Sequence, residues 1–155
     1  MSRVFKGRVI LPRNVEGEVV VTHSGFNTLA SFYKSMLTEA EVAICHDQDN
    51  KELFGKQLTD KIICLPKTIG STSAGATMER VAQLGIAPKA MLFSQHIDSL
   101  GAAGLVLAEV WVGKRICAID QLGDDFLEYV KDGHQIVAKE DGTVLVGYHP
   151  VAISS

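Results

Sequence analysis

The residues best suited to chemistry are Gly70-Ser71-Thr72-Ser73-Ala74-Gly75, three hydroxyls held between two glycines. They follow an apolar run at residues 61–66 and precede a helical pattern at residues 78–84. A strand is therefore expected to deliver a hydroxyl cluster to a helix N-terminus. There the first backbone N–H groups lack internal partners and the aligned peptide dipoles favour negative charge. Such a place suits a carboxylate, a phosphate or a serine oxyanion. Helix caps select the same residue types, so Ser71, Thr72 or Ser73 as a plain cap is the competing reading. Two other chemistries lose ground on spacing. A P-loop needs Lys directly after its second glycine, where Ala76 stands before Thr77, and neither Ser71 nor Ser73 has a glycine two residues away on both sides, as a nucleophile elbow requires.

A second group lies further along. His96 and Asp98 follow the apolar run 90–93, at the C-terminal end of an expected strand, where open α/β sheets place ligands. They are candidate acid-base groups, with a hydrogen-bonded turn as the alternative. Asp120 ends the next expected strand on the same rim. Glu109, inside an apolar helical run, reads either as a buried acid or as part of a solvent-facing stripe. Residues 46–50 resemble a calcium loop only superficially, because its glycine and terminal glutamate are missing, and they read as a turn. Cys45, Cys64 and Cys117 sit in apolar runs without C-x-x-C or Cys/His ligand spacing. They are expected to be buried, reduced thiols, and this chain is expected to supply no metal ligands.

These residues need a scaffold, and the pattern specifies much of one. Residues 4–11 and 18–22 are β-rich runs around a turn-like interval, which predicts an antiparallel hairpin. Asn27 is a plausible N-cap for a short helix carrying Leu29, Phe32, Tyr33 and Met36 at helical spacing. Residues 42–45 read as a short strand. From residue 61 strands and helices alternate: strand 61–65, helix 74–84, strand 90–93, helix 100–111 and strand 115–119, an order that predicts parallel strands joined by crossovers. A further helix is expected at 124–130, and residues 135–138 and 144–146 predict a closing hairpin.

The chain has 155 residues, 46% of them hydrophobic, and a formal net charge of −3. This is enough for one domain spanning 1–155 with its own core, and it offers no basic face for nucleic acid. The polar N-terminus does not read as a signal peptide, and the longest apolar run, 102–112, is too short to cross a bilayer. A soluble, cytoplasmic protein is expected.

Lys6-Gly7-Arg8-Val9-Ile10, Val15-Glu16-Gly17-Glu18, Leu53-Phe54-Gly55-Lys56, Gly70-Ser71-Thr72, Ala87-Pro88-Lys89-Ala90 and Gly142-Thr143-Val144-Leu145-Val146 together resemble the small subunit, or swivel domain, of the aconitase X family. The resemblance spans almost the whole chain. It implies an α/β fold: a single swivelling β/β/α domain like the fourth domain of aconitase, here with flanking β-hairpins. It also implies a hydro-lyase that is active only with a large subunit, which carries the iron centre. Ser71 would be the proton-abstracting residue, with Gly70, Thr72, Phe26 and Asn27 around the substrate. The segments Gly25-Phe26-Asn27 and 93–100 look more like the branch that dehydrates cis-3-hydroxy-L-proline to 1-pyrroline-2-carboxylate than the branch acting on mevalonate 5-phosphate. Two further readings stay open: an anion-binding module without chemistry, and a purely structural subunit.

Overall fold

The computed structural model describes residues 3–70 and 74–147. In chain order the elements are β1 (Arg3–Lys6), β2 (Arg8–Leu11), β3 (Val15–Val21), β4 (Phe26–Asn27), α1 (Thr28–Leu37), β5 (Ile62–Leu65), β6 (Thr68–Ile69), α2 (Ala74–Gln83), β7 (Ala90–Phe93) and α3 (Ser99–Leu107). A π-helical turn, Ala108–Val112, extends α3 before β8 (Cys117–Asp120), α4 (Asp124–Tyr129), β9 (Gln135–Ala138) and β10 (Thr143–Val146).

Eight strands form one sheet in the order β1-β10-β9-β3-β5-β7-β8-β2, with β3, β5, β7 and β8 mutually parallel. β5, β7 and β8 are buried at every position, which is why β5 and β7 read as continuous apolar runs rather than half-polar alternations, whereas β3 is buried in succession only over residues 19–21. Successive residues still divide between two cores. Ile62, Cys64, Ala90 and Leu92 point into one core, with Phe5, Ile119, Phe126, Ile136 and Val144. Ile63, Leu65, Met91 and Phe93 point into the other, with Phe32, Val81 and Leu105 from α1, α2 and α3. Each fully buried Phe, Leu or Ile contributes about 1.5–3 kcal/mol.

The predicted N-terminal hairpin does not form. β2 pairs antiparallel with β8, whereas β3 runs between β9 and β5. β1 and β2 occupy opposite ends of the strand order although only Gly7 separates them, so the sheet curls until its ends meet. Gly7 is the joint. Its N–H donates to the Gly142 carbonyl (3.1 Å), and a Cβ there would lie 2.5 Å from the Asp120 carbonyl oxygen. Alternating apolar residues mark a strand but do not name its partner, and here the partner is more than a hundred residues away.

The other expectations fare better. β7 has the predicted bounds, β5 and α2 agree within a residue at each end, and β9 and β10 pair as the closing hairpin. Residues 42–45 make only an isolated bridge, Ile44 with Gln57. The helix predicted over 100–111 changes to π geometry at Ala108 and ends at Gly113, whose φ is +78°.

Candidate functional site

The parallel strands all end on one rim, and the connections leaving them there carry the candidate residues. From β5 the chain passes through Pro66 and Lys67 into β6, which pairs parallel with β4 and sets Phe26 opposite Thr68 and Asn27 opposite Ile69. Phe26 N–H donates to the Lys67 carbonyl (2.8 Å). At Gly70 the backbone turns with φ +115°, a region open chiefly to glycine. A Cβ on Gly70 would lie 3.0 Å from Asn27 Oδ1, so the Asn27 amide rests on this glycine. Ser71 and Thr72, the expected base and its neighbour, lie with Ser73 outside the described residues. They fall between Gly70 and the start of α2.

Asn27 caps α1 as expected, its Oδ1 accepting from the Ala30 N–H (3.0 Å). The strand pair β4–β6 also places it beside the Gly70 turn. Phe26 is in a different position from the one predicted. It is fully buried and packs edge-on against Phe32, so its ring is a core side chain under the turn and presents no apolar surface to a substrate. A two-residue strand followed at once by a helix cap leaves no alternation from which burial could be read.

The β7–α3 connection carries His96 and Asp98. Asp98 caps α3, with Oδ2 accepting from Gly101 N–H (3.0 Å), while Oδ1 accepts from the Thr68 hydroxyl. His96 is exposed; its Nδ1 lies 2.8 Å from the Ile97 carbonyl and its Nε2 lies 3.3 Å from Arg8 Nη2. This arrangement suits a ring protonated at Nδ1 and accepting at Nε2. Asp120 is fully buried. Its carboxylate accepts from Arg8 Nε (3.0 Å), Arg8 Nη2 (2.8 Å) and the Ile97 N–H (2.7 Å). Burial alone would push this carboxyl up, but the Arg8 hydrogen bond, the Ile97 N–H and the Arg8 charge outweigh it and hold the group below its ordinary value. Asp120 thus stays ionised as an anchor for the β7–α3 loop.

Arg8 is the residue that sequence reasoning missed as a member of this rim. The available signal was a single arginine in an otherwise apolar strand directly after Gly7. Glu109 pairs with Arg115 and is partly exposed, away from both cores. Beside Asn27 lies an open, mainly apolar hollow of about 690 Å³ whose walls include Leu29, Tyr33, Lys34 and His46.

Cys45, Cys64 and Cys117 are buried. Burial pushes the Cys64 thiol well above its ordinary value and Cys117 up to about 11, so neither is poised as a thiolate ligand. Among the described residues no cluster of three His, Cys, Asp or Glu side chains could hold a metal ion. These residues do not fit an iron centre. No described helix is long and apolar enough to cross a membrane.

The aconitase X swivel domain family matches residues 4–146, and the chain belongs to that family. A phosphomevalonate dehydratase small subunit from Methanosarcina mazei is 26% identical over 133 residues, covering 86% of this chain and 83% of that one. Its counterpart from Aeropyrum pernix is 28% identical, with 92% of each chain covered. A cis-3-hydroxy-L-proline dehydratase from Hypocrea jecorina is 28% identical over 90% of this chain, in a match that occupies 22% of that longer protein. In fold the chain is similar to aconitase X from Thermococcus kodakaraensis, solved in its holo form, with TM-score 0.77, 23% identity and 93% and 98% of the two chains covered. The chain is accordingly a hydro-lyase subunit of the aconitase X type.

Proposed function

We propose that this chain is the small subunit of a two-subunit dehydratase acting on a β-hydroxy acid, cis-3-hydroxy-L-proline in the first instance, and that Ser71 is its base. The observation that carries the reading is Gly70 at φ +115° against Asn27, turning the chain from β6 toward the N-terminus of α2. A helix N-terminus offers a serine oxygen unpaired backbone donors and a favourable dipole. Gly70, Thr72 and the Asn27 amide are the proposed substrate contacts. The three hydroxyls retain helix capping as their alternative role.

In the proposed step the Ser71 alkoxide takes the α-proton. The electron pair left behind forms the double bond as the β-hydroxyl departs, and the proton taken by Ser71 balances that hydroxide as water, restoring the alkoxide. With cis-3-hydroxy-L-proline the resulting enamine tautomerises to 1-pyrroline-2-carboxylate. Lowering a serine pKa by about five units takes about 7 kcal/mol at roughly 1.4 kcal/mol per unit. A helix end supplies only about 0.3–2 kcal/mol and each oriented donor in a dry site about 3 kcal/mol. With one such donor the sum stays about 2 kcal/mol short, and donors reach that strength only where water is excluded, so charge and closure from a second subunit are called for, to which the resemblance also assigns the iron centre. Two facts support a partner: similar proteins are named small subunits, and the Hypocrea relative carries its matching region within a much longer dehydratase chain.

Several archaeal relatives bear the name phosphomevalonate dehydratase small subunit, which favours mevalonate 5-phosphate as the second candidate substrate. Co-expression with the large subunit, followed by turnover of each compound, separates the two. Ser71→Ala in that assembly is expected to abolish turnover while folding and association persist. A folded, assembled variant with near-normal kcat would leave Ser71 as a helix cap. Hydrogen exchange across residues 25–27, 69–75 and 96–98 should slow on assembly. Protection elsewhere alone would show that the partner does not close this rim.

A further inference from the structure

A helix cap needs one acceptor oxygen, and Asn or Ser supplies it as well as Asp does. Asp98 uses two. Oδ2 caps α3 through Gly101 N–H, which leaves Oδ1 for the Thr68 hydroxyl, thirty residues away. Thr68 is the first residue of β6, two positions before the Gly70 turn. Gly101 makes the approach possible, because a Cβ there would lie 2.9 Å from Thr68 Oγ1 and 3.0 Å from Asp98 Oδ1. The loop on the far side is itself held, since the neighbouring Ile97 N–H donates to the buried Asp120 carboxylate, which Arg8 grips with two nitrogens.

From this arrangement we infer that Asp98 and Thr68 are positioning residues that tie the Gly70 turn to the N-terminus of α3 and thereby set the placement of the residue that follows Gly70. The inference rests on the proposed role of Ser71. Asp98 does not touch the reacting atoms. It acts through Thr68, and a carboxyl group suits the position because one of its two oxygens caps the helix while the other holds the hydroxyl. A base misplaced by about 1 Å can lose on the order of a hundredfold in rate.

The test uses the assembled two-subunit enzyme and compares Thr68→Val, Thr68→Ser and Ser71→Ala. Valine keeps the shape and β-branching of threonine, which suits a strand, and leaves the Asp98 cap on Gly101 intact. The expected result is a fall in kcat of about tenfold to a hundredfold for Thr68→Val, with KM and thermal midpoint nearly unchanged, and recovery to within about threefold for Thr68→Ser, which restores the donor. Faster hydrogen exchange at residues 69–75 in Thr68→Val would accompany the loss. A wild-type kcat in Thr68→Val, beside an inactive Ser71→Ala, overturns the inference and leaves the role of Ser71 standing. A loss in both Thr68 variants equally overturns it too, because the hydroxyl would then not be the operative group. An active Ser71→Ala brings down the underlying reading instead.

Discussion

Arg8 and Asp120 are direct cross-strand partners in the β2–β8 pairing, and their side chains repeat the pairing, with Nε on one carboxylate oxygen and Nη2 on the other. Asp120 is fully buried while the Arg8 side chain remains 47% exposed, and the carboxylate is held in its charged form chiefly by Arg8 and the Ile97 N–H, with a smaller contribution from His96. The bridge closes the edge of the sheet and, through Ile97, fixes the loop bearing His96 and Asp98.

This dependence sets an acid limb on stability. Asp120 titrates below its ordinary value in the folded chain, so its contribution is present in full above the unfolded pKa and is lost as pH falls through the folded one. Arg8→Gln should destabilise the fold near neutral pH, because it leaves the buried Asp120 carboxylate without its arginine partner. The gap to wild type should narrow steadily as pH drops below about 4. Urea unfolding across that range measures it, and a gap independent of pH would mean that the pair carries no net charge interaction.

Gly7→Ala should destabilise the fold by about 1–3 kcal/mol. The added methyl would meet the Asp120 carbonyl, Ile119 and Leu122 at 2.5–2.9 Å, and the first of these is backbone that cannot rotate aside. Thermal unfolding of the variant reads the effect. Gly133→Ala serves as the comparison: it has open space but a positive φ of +87°, so backbone strain is tested there without crowding.

At Gly70 both effects coincide. An alanine would be strained at φ +115° and would press on the Asn27 amide, at a cost of about 1–3 kcal/mol. In the assembled enzyme Gly70→Ala should reduce turnover far more than that loss of stability explains at a temperature where the variant remains folded. Retained kcat in the folded variant would show that the turn does not have to keep this geometry.

The isolated chain is expected to purify without iron, because its three thiols are buried apart from any ligand cluster among the described residues. Elemental analysis after anaerobic purification provides the measurement. Stoichiometric iron that disappears on replacing Cys45, Cys64 or Cys117 would place the metal in this chain after all.

Local pattern alone determined β5 and β7, α2, the Asn27 cap and the closing β9–β10 hairpin. Each of these depends on residues close in sequence, whose apolar spacing or capping chemistry has one stable backbone solution. The buried thiols were legible for the same reason, while the hydroxyl cluster at 71–73 lies outside the described residues. Tertiary structure decided the rest. Arg8 meets Asp120 across 112 positions, Thr68 meets Asp98 across 30, and Asn27 comes to rest on Gly70 because two-residue strands pair. β1 and β2 separate to opposite ends of a curled sheet at a single glycine. Such contacts follow from which strand edges and helix ends the collapsed chain brings together. Periodicity reports which face of an element is apolar, but the partner of that face is chosen only when the whole core is packed.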